Sequence, residues 1–174
     1  MTPQQVAVTV LGHDRPGIIA ETTRLLADLG ANLEDSTMTI LRGHFAMVVV
    51  ATVPVDAASV AAALAPLEAG GTLQVAVRAV PPEPDPETLG RSYLLSVHGA
   101  DRPGIVSAVT AVVADVGGNV TELSTRLTGD LYVLLAEVDL PTTVDVDALT
   151  ARLAQRGHEL GVEVSLRPLD TDVL

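Results

Sequence analysis

Hydrophobic positions along this chain switch between two periods. Residues 6–11, VAVTVL, form a short apolar run rich in β-branched side chains and closed by Gly12, the pattern of a buried strand. Beyond a polar break the spacing becomes helical: Ile18, Thr22, Leu25, Leu26 and Leu29 share one face, and Gly30 ends it. Two further strand-like runs, 32–41 and 44–52, are divided only by Arg42-Gly43, which suits a tight hairpin. Asp56 stands where a second helix needs its cap, with Val60, Leu64 and Leu67 as the inward stripe. Gly70-Gly71 stops that helix before a last strand, TLQVAVRAV, at 72–80. The predicted order is βαββαβ.

The pattern then recurs. Aligning Asp14 with Asp101 gives an offset of 101 − 14 = 87, and without a gap this matches Ala27 with Ala114, Asp28 with Asp115, Gly30 with Gly117, Asn32 with Asn119 and Pro54 with Pro141. Agreement of this length marks a duplicated module. The second copy reads as strand 91–99, a helix with Ile105, Val109, Val112, Val113 and Val116 inward, and strands near 119–127 and 131–139 around Gly129-Asp130. A helix capped by Asp145 and carrying Leu149 and Leu153, then VEVSLRPL, closes it. We expect an α+β fold of two ferredoxin-like βαββαβ modules, residues 1–80 and 91–174, each an antiparallel sheet with both helices on one face. Residues 81–90 are expected to be a linker stiffened by proline and kept polar by acids. Val48, Val50 and Leu135 leave the opposite sheet face apolar, so each module is expected to bury surface against the other or against a second chain.

Composition narrows the function. The formal charge is −12, with ten basic residues, all Arg. Such a field repels phosphate backbones, which argues against direct nucleic-acid binding. A sheet of this topology that stacks RNA bases needs aromatic platforms and basic grooves; here the aromatics are Phe45, Tyr93 and Tyr132 alone. There is no Cys, and His13, His44, His98 and His158 show no metal-ligand spacing along the chain, so no metal and no cofactor are expected. No nucleophile elbow, phosphate loop or paired carboxylates point to catalysis, so we expect no enzyme. No leader or membrane-spanning run is evident, and a cytoplasmic protein is the expectation.

The stretch with candidate chemistry is GHDRPGI at 12–18, repeated as GADRPGI at 99–105. A structural reading has Asp14 or Arg15 cap the helix, Pro16 occupy its first turn and Gly17 permit close backbone approach. A functional reading uses the same geometry: free amides at a helix start, at the positive end of its dipole, hold a carboxylate, and a nearby Asp receives an ammonium group. Such a site for an α-amino acid would use the amides of Gly17 and Ile18 with Asp14, and in the second copy Gly104 and Ile105 with Asp101. Arg15 and Arg102, in the same two turns, are counted among the ligand-binding candidates. Asn32 and Asn119 either contact the ligand or simply tolerate the turn conformation. His13 either touches the ligand or is a solvated loop residue; His98 is assigned no role. At matched positions His13 becomes Ala100, Ala31 becomes Gly118, Glu34 becomes Thr121 and Ser36 becomes Leu123, so the first site is expected to be the more polar.

Two βαββαβ modules that each open with a strand, G-x-DRPG-I, an apolar helix and Gly-x-Asn resemble ACT domains, the small-molecule regulatory modules of amino-acid metabolism. The resemblance covers nearly the whole chain. It implies amino-acid ligands such as glycine or serine, held where the turn of one ACT domain meets a strand of a neighbour, and a homo-oligomer. For tandem ACT proteins with nothing appended it implies action through a protein partner, a transcription factor, rather than by touching DNA. The alternative is a stand-alone regulatory subunit of an amino-acid biosynthetic enzyme.

Overall fold

A computed structural model describes residues 3–81 and 90–169. The chain divides into two compact units, Met1–Pro84 and Asp85–Leu174, each with its own sheet and core. Most of the expected linker falls outside the described residues.

The first unit runs β1 (Gln4–His13), α1 (Ile18–Asp28), β2 (Asn32–Leu41), β3 (His44–Val53), α2 (Ala57–Leu64), a 3-10 turn (Ala65–Glu68) and β4 (Leu73–Ala79). The second repeats it as β5 (Arg91–Ala100), α3 (Ile105–Ala114), β6 (Asn119–Thr128), β7 (Leu131–Leu140), α4 (Val146–Leu160) and β8 (Val162–Pro168). The sheets are ordered β2-β3-β1-β4 and β6-β7-β5-β8, with every adjacent pair antiparallel. The α+β, twofold βαββαβ expectation holds.

Strand alternation decides which face is covered. Val6, Val8 and Val10 on β1 and Phe45, Met47, Val49 and Ala51 on β3 point to one side, where Ile18, Leu26, Val60 and Leu64 of the two helices seal them from water. Each of these Val, Leu, Ile, Met and Phe side chains stabilises the unit by about 1.5–3 kcal/mol on full burial. Tyr93, Leu95, Val97, Leu134, Ala136 and Val138 do the same beneath α3 and α4. The predicted stripes are fully enclosed except for Leu25, Leu29 and Val116, which pack at the margins. Val48 and Leu135 lie on the uncovered face and stay exposed.

The copies differ in their second helices. Asp56 caps α2 by accepting from the Ser59 amide at 2.7 Å, and Asp145 caps α4 by accepting from the Ala148 amide at 3.0 Å. Pro66 cannot donate to a third helical turn, so α2 gives way to the 3-10 turn, whereas α4 lacks proline and runs for 15 residues. The edge strands β2 and β6 carry a register shift at matched places, Glu34 and Thr121. No helix among the described residues is long and apolar enough to cross a membrane.

Candidate functional site

Each candidate turn begins where the central strand runs out. The His13 amide donates to the Thr72 carbonyl at 2.9 Å and the Asp14 amide to the Gly43 carbonyl at 3.0 Å, which ties the start of the turn to both neighbouring strands. Gly12 is needed because a Cβ there would lie 2.0 Å from the Thr72 oxygen. The chain then bends through Gly17, which occupies the cap position of α1 at φ 91°, ψ −4°; Gly104 does so for α3 at φ 93°, ψ −2°. These are left-handed conformations that favour glycine.

Neither Asp14 nor Arg15 is the cap. No side chain caps either helix, and Pro16 precedes the first turn instead of sitting in it. The reason is the hold on the Asp14 amide, which keeps that residue at the sheet end, before the helix begins. Close approach is not the role of Gly17 either, since a Cβ there would meet nothing within 4 Å. The first helical bonds run from the Glu21 amide to the Gly17 carbonyl and from the Ala108 amide to the Gly104 carbonyl, each 2.9 Å. By helix geometry the amides just ahead of these, at residues 18–20 and 105–107, have no carbonyl within the helix to bond. They sit at the positive end of the dipole with no side chain capping them, the arrangement that receives small anions.

The two turns are furnished differently. At the second, Asp101, Arg102, Gly104 and Ile105 come together around a depression of about 280 Å³, with Val106, Ser107 and Tyr132 completing its lining. Ile105 is buried at the base of this depression. The Arg102 guanidinium lies over Gly161 at the end of α4, where an added Cβ would be 3.4 Å from its central carbon. At the first turn Arg15 is tied to Glu21 at 2.8 Å; in the second copy that helix position is Ala108, which carries no acid. His13 stacks on His44, with ring centres 5.3 Å apart. Sequence reasoning overlooked Tyr132, which the long-range pairing of β7 with β5 sets opposite Gly99, beside the turn.

Asn32 and Asn119 do open β2 and β6, but they pair with Thr52 and Asp139. The turns lie at the opposite sheet ends, where His13 pairs with His44 and Ala100 with Leu131. Eight strand steps of about 3.3 Å put roughly 26 Å between each Asn and the turn of its own unit. Glu34 is also remote. Its carboxylate accepts hydrogen bonds from Thr52 at 2.5 Å and from Gln5, and these two donors, Thr52 first, hold its pKa below the usual carboxylate range. Ser36 pairs with Val49 in mid-strand. The polarity that distinguishes the first copy is thus mostly away from its turn, with His13 the exception. His98 meets Glu163 at 3.2 Å on the uncovered face of the second sheet. Among the described residues no group of three or more His, Asp or Glu side chains is placed to hold a metal ion.

The sequence matches the ACT domain family over residues 4–77 and again over 92–167, and the chain belongs to that family as a tandem ACT-domain protein. It is 28% identical to the glycine cleavage system transcriptional repressor of Escherichia coli over 122 residues, 70% of this chain and 64% of that one. A UPF0237 protein of Methanopyrus kandleri is 37% identical over 78 residues, 44% of this chain and 87% of its own. Among solved structures, a protein of unknown function from Galdieria sulphuraria superposes with a TM-score of 0.80 at 32% identity, over 97% of this chain and 99% of that one. A putative glycine cleavage system transcriptional repressor superposes with a TM-score of 0.72 at 20% identity over the same shares, which shows a common fold. Membership of this family gives the chain a ligand-binding regulatory role.

Proposed function

We propose that this protein senses a small α-amino acid, of the size of glycine or serine, and passes the signal to a protein partner that controls amino-acid metabolism or its transcription. The ligand carboxylate rests on the uncapped amides at the start of α1 or α3, and its ammonium group faces Asp14 or Asp101. Arg102 and Tyr132 border the second site and Arg15 and His13 the first. The observation that carries this reading is the left-handed glycine that opens both helices and leaves their first amides without a side-chain cap. Asn32 and Asn119 take no part in the turn site of their own unit.

The protein acts without catalysis. A ligand that binds one conformation or complex better than another shifts the population by that difference, and about 1–3 kcal/mol is enough for regulation. A charge of −12 disfavours contact with nucleic-acid phosphates, which supports action through a protein. The similarity to a transcriptional repressor supports a DNA-binding regulator as that partner. Co-purification distinguishes this from the alternative, a metabolic enzyme for which the chain serves as regulatory subunit.

Calorimetric titration with glycine, serine and the other amino acids tests the site. Asp14→Ala and Asp101→Ala should weaken binding. Asp28→Ala and Asp115→Ala should leave it unchanged, because those carboxylates pair on exposed surfaces with Arg24 and Arg152, each at 2.8 Å. Equal affinity in all four variants would remove the assignment.

A further inference from the structure

We propose that His13 and His44 form a two-imidazole chelate for a divalent transition-metal ion of the zinc, nickel or copper class, on the uncovered sheet face of the first unit. Their separation along the chain conceals the pair, whereas the register of β1 with β3 sets them directly opposite each other. Because the His13 amide bonds towards β4, through Thr72, the residue faces β3 in a position without exchanged backbone bonds. At such positions opposed Cα atoms are only about 4.5 Å apart and side chains meet. The rings do meet, with centres 5.3 Å apart and planes 29° from parallel. Both residues are exposed.

Imidazole suits zinc, nickel and copper, with metal–nitrogen bonds near 2.0–2.1 Å for zinc, so two ligating nitrogens can stand up to about 4 Å apart. Rings 5.3 Å apart reach that span by turning about χ2, a broad torsion in histidine. An open depression of about 490 Å³, lined by His44 with Leu11, Gly12, Gly71, Thr72 and Gln74, gives water room to fill the remaining coordination positions. The ion therefore keeps exchangeable ligands, unlike a closed structural site with four protein donors. The net charge of −12 draws cations to the surface. In the second copy both members are gone together, for the matching pair is Ala100 and Leu131.

The test is calorimetry of the full chain, carrying no affinity tag, with zinc chloride and then nickel chloride. One ion per chain is expected. His13→Ala and His44→Ala should each weaken it by no less than the roughly tenfold that loss of an outer-shell partner costs a metal site. His98→Ala should bind as the unaltered chain does. Both substituted positions are exposed, and unchanged thermal unfolding in the absence of metal confirms that the variants fold. No binding, binding that persists in the variant lacking both imidazoles, or an equal loss in His98→Ala would overturn the site.

Discussion

The hydroxyl of Thr22 is enclosed by the first core and has no hydrogen-bond partner among the described residues. At the matching position the second copy carries Val109, also fully buried. A buried hydroxyl without a partner costs about 1–3 kcal/mol, so Thr22→Val should stabilise the first unit by roughly 1 kcal/mol in urea denaturation. A loss of stability would mean that the hydroxyl is bonded. Two glycines separate conformational from steric demand. Gly17→Ala should cost about 1–2 kcal/mol through its left-handed backbone alone, since space is free around it. Gly12→Ala should cost more, because its Cβ would sit 2.0 Å from a carbonyl oxygen that belongs to the sheet. The same denaturation series ranks them. Sequence singled out both glycines but gave Gly17 the wrong reason: close approach and positive φ leave the same letter, and only the backbone angle separates them.

Element order was legible because each segment keeps one period and ends on Gly or at a capping Asp. Asp145→Ala should destabilise the second unit by about 0.5–2 kcal/mol through loss of the bond to the Ala148 amide. Asp56 makes the same prediction in pH. Hydrogen bonds from Ser59 hold its carboxyl below the ordinary value of 3.8. A folded-state pKa below the unfolded one means that the carboxylate's contribution is complete above 3.8 and disappears as pH falls through the lower, folded value. Asp56→Asn, which can still cap but cannot titrate there, should flatten that acid limb when unfolding is followed against pH. An unaltered limb would show that Asp56 adds nothing to it. What escaped the sequence at this scale was long-range placement. The bulges at Glu34 and Thr121 carry no local signature, and Glu34 earned credit for a turn that lies at the other end of its sheet. Asn32 lies away from the turn of its own unit for a similar reason: α1 carries the chain back along the sheet before β2 begins.

At the scale of the whole molecule, duplication supplied two turns of one backbone geometry and divergence gave them different surroundings. Arg15 is occupied by Glu21, while Arg102 borders a depression with Tyr132; His13 and His44 face each other where the second copy has Ala and Leu. A ligand that binds the folded chain raises its melting temperature with concentration. A thermal-shift screen of the twenty amino acids should therefore pick out small ones, with Asp101→Ala reducing the response. The recurrence at an offset of 87 made the two modules legible, while the unequal furnishing of the turns had to come from register and packing. The most direct measurement is a titration of the ¹⁵N-labelled chain with glycine and with serine, followed through its backbone amide signals. The account predicts that signals of residues 18–20 or 105–107 move first and saturate with binding. Binding that leaves those amides still, or no binding by either compound, would contradict it.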